Sequence, residues 1–463
     1  MMMMKKFLSL VLCFLLVYSI SALDIREMEK MMIENNPTVR QANETVRQAQ
    51  LDLKDAKANF SPTISATVSA TYMTEPIIGP IIMESSDILS QMGLGSYADR
   101  ASGYVTLYDG MDNTMYMGSL SLTQPLITWG KLGKAVSLYE NIYSAQALRK
   151  DDTVAQLQAE LRVRVWSLKY LLEMKSLVEE ALSLSSSLVD LAESGYENGM
   201  MLRQDYLEAK ISAMEVEVKE AELLANLDSV KDGLASMLGL SELDANEIDF
   251  PQDESFLRSY ENSSVDGLIA ASTGEDSSNL KAIKNLLGAY SNQKTIALRS
   301  MYGIPDFALQ AELTYSSSRF PFLETGWKQN DNSSLNLSIG FKTTLWDGGK
   351  AINDISRAES NIRSAEAQYD DALSEIRSAV KSNWNNMRSN LATIDYLEAK
   401  LENLDRELDT IRTEMEYGQK GEGDLKQKQL EIVNIRSQLL ASKIALVQNV
   451  YTLQYLTGAD FSD

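Results

Sequence analysis

Four stretches of the chain alternate between apolar and polar residues with a period of two. In Pro62–Thr74, Ile64, Ala66, Val68, Ala70 and Tyr72 are interleaved with Thr63, Ser65, Thr67, Ser69 and Thr71. In Tyr116–Thr123 the row is Tyr116, Gly118, Leu120 and Leu122; in Asp306–Tyr315 it is Phe307, Leu309, Ala311, Leu313 and Tyr315. In Leu335–Leu345 it is Leu335, Leu337, Ile339, Phe341 and Leu345. A two-residue period puts each set on its own face of a strand. Runs of about ten residues fit transmembrane barrel strands, apolar to lipid and polar to lumen. They fit equally well a half-buried soluble sheet. Four strands cannot close a barrel of usable diameter, so the membrane alternative requires several copies, and three copies would supply twelve strands.

The pattern elsewhere is helical. Prolines fall at 37, 62, 76, 80, 125, 251, 305 and 321, which leaves 126–250 and 322–463 free of them. Between Lys131 and Ser194 the only glycine is Gly133, and between Lys350 and Tyr417 there is none. From Ile362 through Ala365, Tyr369, Ala372, Ile376, Val380, Trp384 and Met387 to Met415, apolar residues recur every three or four positions. The mean spacing is about 3.5, a coiled-coil period rather than the 3.6 of a straight helix. A helix over 65 to 70 residues at about 1.5 Å per residue is a rod of roughly 100 Å, too long for a compact globule. The polar residues between the apolar steps form a solvated face.

The chain also repeats itself at an offset of 217–219 positions, a duplication of pattern more than of sequence. Leu126–Lys131 lies against Thr344–Lys350, Gly199 and Asp205 against Gly418 and Asp424, and Leu238-Gly239-Leu240 against Leu456-Thr457-Gly458. Each half reads helix, strand, loop, strand, very long helix, tight turn, shorter helix. The expected division is a leader at 1–22, a first repeat at 23–240, an acidic linker or equatorial region at 241–279 and a second repeat at 280–463. Residues 1–22 carry Lys5-Lys6, an apolar run from Phe7 to Tyr18 and a small-residue end, the form of a cleaved signal peptide. The apolar run is shorter than the ~20 residues of a membrane-spanning helix.

Composition narrows the chemistry. The chain of 463 residues has no histidine and a single cysteine, Cys13, inside the expected leader. Histidine-based nucleophile activation, histidine-liganded zinc and disulfides are therefore excluded from the exported protein. The formal charge of −22 argues against a nucleic-acid partner. Residues 241–279 hold ten acids against Arg258 alone and read as an acidic, solvated linker. No Asp-x-Asp-x-Asp-Gly run with a terminal glutamate offers a calcium loop. No metal site and no cofactor is expected.

Local motifs, in order, resemble the TolC family of outer-membrane efflux and secretion channels over essentially the whole exported chain. Glu34-Asn35-Asn36-Pro37-Thr38-Val39 resembles the family's opening segment, and Asn59-Phe60-Ser61-Pro62 its turn into the first strand. Gln124-Pro125-Leu126 with Trp129-Gly130, and Leu345-Trp346-Asp347-Gly348-Gly349-Lys350, resemble the strand exits. Tyr196-Glu197-Asn198-Gly199 followed by Asp205-Tyr206-Leu207-Glu208-Ala209 resembles the helical hairpin. The first half departs from the pattern in lacking a double glycine after Trp129, and the second in placing Lys426 after Leu425.

The resemblance implies an α+β membrane protein. Long antiparallel coiled-coil helices would form an α-barrel, and four transmembrane strands per chain would close a 12-stranded β-barrel in a homotrimer. It implies the exit duct of a tripartite efflux pump or type I secretion system, set in outer-membrane lipid and extending into the periplasm. The implied partners are a periplasmic adaptor and an inner-membrane transporter of RND, ABC or MFS type. Loops 75–114 and 316–333 would face outside, and the first, long and apolar with Pro76-Ile77-Ile78-Gly79-Pro80-Ile81-Ile82-Met83, would pack over or plug the mouth, long loops being commonly functional or else disordered.

A mechanism would reside at the hairpin tips. Gly199 and Gly418 supply positive φ at the turns. Just after them stand Asp205 and, in the second half, Glu422 and Asp424. Symmetry would gather these acids into rings where the tunnel narrows, a cation-favouring constriction held by polar contacts from Arg203, Gln204, Lys420 or Tyr417. The other role open to Asp205 and Asp424 is to cap the returning helices. Two further classes compete with a channel. A periplasmic coiled-coil scaffold or adhesin would explain the helices but leave the four alternating segments without a purpose. An enzyme using carboxylates alone, such as a glycosidase, would need a paired site that no motif supplies.

Overall fold

The computed structural model describes residues 23–75, 78–110, 112–274, 277–318 and 332–459. The expected leader with Cys13, Pro76-Ile77 of the first loop and 319–331 of the second lie outside the described residues. Among the described residues the helices are α1 (Ile25–Asn35), α2 (Pro37–Ala58), α3 (Ser85–Gln91), α4 (Gly95–Ala98), α5 (Lys131–Glu197), α6 (Arg203–Leu238), α7 (Val265–Ser272), α8 (Ser278–Arg299), α9 (Lys350–Glu416) and α10 (Glu422–Thr457). The strands are β1 (Thr63–Tyr72), β2 (Ile81–Glu84), β3 (Tyr104–Tyr108), β4 (Thr114–Ile127), β5 (Asp306–Ser317) and β6 (Asn332–Lys342). The two long helices, α5 and α9, have 67 residues each, and the shorter partners, α6 and α10, have 36 each. At about 1.5 Å per residue the longer pair measures roughly 100 Å. Both short helices stop at a glycine in the left-handed conformation, Gly239 at φ 74° and Gly458 at φ 66°, the usual device for ending a helix.

The chain divides into two compact units, and the division falls inside α2, α5, α8 and α9. One unit comprises Leu51–Glu140 and Ala289–Asn361. Its centre is a four-stranded antiparallel sheet in the order β1-β4-β5-β6. The register carries the apolar rows across the sheet without slipping: Ile64 pairs with Leu122, Leu122 with Ala311 and Ala311 with Leu337. The neighbouring row is Ala66, Leu120, Leu313 and Leu335. Between them lies the polar row Ser65, Ser121, Glu312 and Asn336, in which the Ser65 and Ser121 hydroxyls are 2.7 Å apart. A one-residue slip would mix the faces, so the alternation itself fixes the register. The sheet is entered and left by turns tied to it: the Trp129 indole donates to the Pro305 carbonyl at 2.7 Å, and Lys131 forms an ion pair with Asp306.

β4 runs from Thr114 to Ile127, longer at both ends than the alternation of Tyr116–Thr123 indicates, with a register shift at Pro125. Proline cannot donate to the ladder, and the irregularity absorbs it. The first loop contains more than its composition indicates. β2 and β3 pair antiparallel, and α3 and α4 lie between them in the chain.

The other unit comprises the chain up to Gln50, Asn141–Gly288 and Ile362 onward. Two apolar clusters hold it. In the first, Met28 and Met32 of α1 meet Leu161, Val165 and Leu168 of α5 and Leu234 and Leu238 of α6. In the second, Trp166 and Tyr170 of α5 meet Leu446, Val450 and Tyr451 of α10, with Val380 and Met387 of α9. The Trp166 indole donates to the Tyr451 hydroxyl at 3.1 Å, which satisfies its one donor in a buried site. Arg162, buried on α5, pairs with Glu29 of α1 at 2.8 Å. A third cluster lines α9 and α10 with Leu397, Leu404, Leu408, Ile432 and Ile435 at coiled-coil spacing.

The acidic stretch 241–279 is packed down. Leu243, Ile248, Leu257 and Leu268 are buried. Glu254 pairs with Lys443 at 2.7 Å, Arg258 with Asp395 at 2.5 Å, and Lys169 donates to the Pro251 carbonyl at 2.9 Å.

Candidate functional site

The two faces of the sheet and the two hairpin tips are the places where function can be read. Among the described residues the outer strands of the sheet bury none of their side chains. Every residue of β1 and β6 is exposed, and Val68 on the apolar row is 86% exposed. Ile64, Tyr72, Leu335, Leu337, Ile339 and Phe341 lie open on the same apolar face. β1 and β6 are the first and last strands of the order, so among the described residues each has one unpaired edge. An open apolar face beside two open edges is unstable in water and demands a covering phase and further strands.

At the first tip, α5 ends in Asn198-Gly199, where Gly199 takes φ 71° and the Asn198 amide donates to the Ser194 carbonyl at 2.8 Å. Tyr196 stacks on Tyr206 across the turn with ring centres 5.8 Å apart, and the Tyr206 hydroxyl donates to Glu193 at 3.4 Å. The turn itself, Met200-Met201-Leu202, is apolar and exposed. Leu202 is the residue before α6, so no side chain caps that helix, and Asp205 stands in its first turn. Gln204 donates to Glu208 at 3.1 Å.

At the second tip, Gly418 takes φ 69° and Tyr417 is exposed. Here the acid does cap: Asp424 Oδ2 accepts from the Gly421 N–H at 3.0 Å, and Lys420 Nζ donates to Oδ1 at 3.4 Å. The Gly421 N–H, helped by the Lys420 ammonium, holds the Asp424 carboxyl below the usual carboxylate range. Glu422 pairs with Lys426 at 2.7 Å along the helix. Among the described residues no hydrogen bond or ion pair joins Arg203, Asp205 or Tyr417 to the opposite hairpin. Within one chain, then, Asp424 is a cap and Asp205 is not.

The motif Leu345–Lys350 contains an anchor that reading by pattern leaves unassigned. Asp347 accepts from the backbone N–H groups of Gly349 at 3.1 Å, Lys350 at 2.9 Å and Ala351 at 3.0 Å, and from the Tyr302 hydroxyl. The Tyr302 hydroxyl, then these N–H groups, hold its carboxyl below the usual range. The aspartate closes the first turn of α9 and ties it to the loop before β5. The Asp-Gly-Gly sequence ahead of a helix is the signal that marks the cap; Tyr302, 45 positions away, has none.

Among the described residues no helix is long and apolar enough to cross a membrane, and no group of three histidine, cysteine or acidic residues is placed to hold a metal ion.

The sequence profile of outer membrane efflux proteins matches residues 30–240 and 282–459. The outer membrane protein TolC of Salmonella enteritidis is 19% identical over 379 residues, which cover 81% of this chain and 75% of TolC. Among solved structures, the outer membrane protein VceC of Vibrio cholerae superposes with a TM-score of 0.69 at 18% identity, covering 95% of this chain and 97% of VceC. The Campylobacter jejuni CmeC outer membrane channel gives 0.68 at 13% identity, covering 94% and 85%. The open sheet, the paired helical hairpins and the two matched segments leave the scaffold alternative without support, and the family is one of channels rather than of enzymes. The chain belongs to the outer membrane efflux protein family, whose place is the outer membrane and whose work is efflux.

Proposed function

We propose that three copies of this chain form the exit duct of a tripartite efflux or secretion assembly. The observation that carries the proposal is the four-stranded sheet with one apolar face uncovered and an edge free on each side. Three such sheets joined edge to edge make twelve strands, whose apolar faces meet lipid and whose polar faces line water. The chain is built as two repeats, 23–240 and 280–463, joined by 241–279; equal lengths of the paired helices support this division. The helices of three copies continue the passage below the membrane as a twelve-stranded α-barrel. A periplasmic adaptor and an inner-membrane transporter of RND, ABC or MFS type supply the substrate and the energy, and the duct itself performs no covalent step.

The tips form the constriction of this duct. Asp205, Glu422 and Asp424, each repeated three times about the axis, favour cations, and Arg203 and Tyr417 lie within the same turns. The position of Asp205 in the first turn of α6 and of Asp424 in the first turn of α10 supports this reading. Capping and lining are compatible for Asp424, since a carboxylate that accepts from Gly421 and Lys420 keeps its charge. Reconstitution into planar bilayers tests both parts. The expected result is a long-lived, cation-selective conductance whose selectivity falls in Asp205→Asn and Asp424→Asn. Absence of conductance from correctly inserted protein contradicts the duct, and unchanged selectivity in both variants contradicts the acidic constriction.

A further inference from the structure

The polar face of the sheet has a charge pattern of its own. The four strands hold three charged residues, Asp306, Glu312 and Lys342. Asp306 and Lys342 lie opposite each other where β5 begins and β6 ends, and Asp306 also pairs with Lys131, so that level carries both signs. Glu312 is the seventh of the twelve residues of β5. It stands roughly 20 Å further along the strand than Asp306. Its neighbours across the ladder are Ser121 and Asn336, and Ser65 lies beyond Ser121. The polar rows on either side, through Gln310 and Thr314, are uncharged. Glu312 is exposed, and among the described residues no hydrogen bond or ion pair engages it. A charged group at mid-membrane is costly and marks function by default, and on the polar face this one meets water rather than lipid.

We propose that Glu312 sets the charge preference of the membrane pore. One carboxylate per chain, at mid-height in a lumen otherwise walled by hydroxyls and amides, favours cationic over anionic solutes. The proposal rests on the twelve-stranded trimeric barrel above and adds to it a selective element separate from the hairpin tips. Geometry decides how that element acts. Twelve strands ~4.8 Å apart and tilted by about 40° place their backbones on a circle roughly 24 Å across. Side chains reaching inward leave three carboxylates roughly 8 Å from the axis and roughly 14 Å from one another. Ligands to a cation stand within about 2.6 Å of it, so carboxylates this far apart cannot share one bare ion. They act through their field on whatever passes. At ~0.1 M salt the Debye length is about 10 Å, longer than the distance to the axis and shorter than the ~20 Å to the mixed charges of Asp306 and Lys342. Three unit charges at that range raise the concentration of a monovalent cation on the axis roughly threefold. At about 1 M salt the Debye length is ~3 Å and the effect vanishes.

The test is made on the assembled protein in planar bilayers, with KCl as the probe and the reversal potential across a salt gradient as the readout. The background Asp205→Asn/Glu422→Gln/Asp424→Asn removes the acids of the tips. The expected result is that this background stays cation-selective near ~0.1 M KCl, and that adding Glu312→Gln lowers its cation-to-anion permeability ratio roughly threefold. Asn336→Lys sets an ammonium across the ladder from Glu312 while leaving the glutamate in place, and it is expected to lower the ratio as well. Both differences are expected to disappear in about 1 M KCl, which a mere change in pore width would not produce. Asn336→Lys carries the same comparison where Glu312→Gln fails to insert. A conducting pore whose reversal potential near ~0.1 M KCl is the same with and without these substitutions overturns the role of Glu312 and leaves the duct standing. Correctly inserted protein that conducts in no variant overturns the duct and this role with it.

Discussion

The two helical hairpins share a backbone and differ in what they present. α5–α6 and α9–α10 match in length residue for residue, turn at glycines of nearly the same φ and end at left-handed glycines. Their surfaces have diverged. The first tip is apolar and uncapped, with Met200, Met201 and Leu202 exposed; the second is polar, with Lys420 and Gly421 closing on Asp424. Mid-helix, α5 carries the buried Trp166 where α9 has the exposed Asn385. A duplicated framework can therefore hold its geometry through a few backbone requirements while its side chains take up separate tasks. Both hairpins feed the shared core, Trp166 and Tyr170 from the first and Val380, Met387, Leu446 and Tyr451 from the second, and the second adds a regular coiled-coil face of its own.

The largest expected effect breaks this comparison at its core. Trp166→Ala removes a fully packed ring that contacts Phe256 and Tyr170 and donates to Tyr451, and should cost about 3–5 kcal/mol. Asn385→Ala, at the equivalent place in the second repeat, should stay within about 0.5 kcal/mol. Denaturant unfolding of the two variants against wild type measures the difference, and similar losses would show the hairpins to be energetically equal.

Next come the shared turns. Gly199→Ala and Gly418→Ala place a Cβ in open space but at positive φ, so each should cost about 1–2 kcal/mol through backbone strain alone. The two losses should agree, because the requirement is the same in both repeats. Thermal unfolding midpoints compare them directly.

The tips separate again at acid pH. The Asp424 carboxyl is held below its ordinary range, so the stabilisation it gives is present at neutral pH, above the unfolded value near 4, and is lost as pH falls through the lower folded value. The difference in unfolding midpoint between wild type and Asp424→Asn should shrink as pH drops below about 4.

The smallest effect concerns the strand exits. Trp129 takes φ 54°, a conformation that costs a non-glycine residue about 1–2 kcal/mol, at the place where the second repeat has Gly348. Its indole bond to Pro305 offsets this by roughly 1 kcal/mol. Trp129→Gly removes both, and its unfolding midpoint should lie within about 1 kcal/mol of wild type.

Much of this architecture can be read before any coordinates. The four alternating rows become β1, β4, β5 and β6 with their faces as expected, and the proline- and glycine-free stretches become α5 and α9. Gly199 and Gly418 turn the hairpins because little else tolerates that φ. What escapes pattern reading lacks a period or a local partner. β2, β3, α3 and α4 are too short to establish a repeat, and the prolines around them mask the strands. The ten acids of 241–279 suggest a solvated linker, but Leu243, Ile248, Leu257 and Leu268, irregularly spaced, anchor it, and Lys443 and Asp395 pair with it from far along the chain. The tip acids look equivalent in the sequence and differ in the structure, because whether an aspartate caps depends on the conformation of the turn before it.

The central claim is that three sheets with uncovered apolar faces close one barrel. The native mass of the exported protein in detergent, corrected for bound detergent, tests it most directly. The account predicts a single species at three times the mass of one chain, which is 51.5 kDa with residues 1–22 counted. A protein that remains monomeric or dimeric at all concentrations would contradict it.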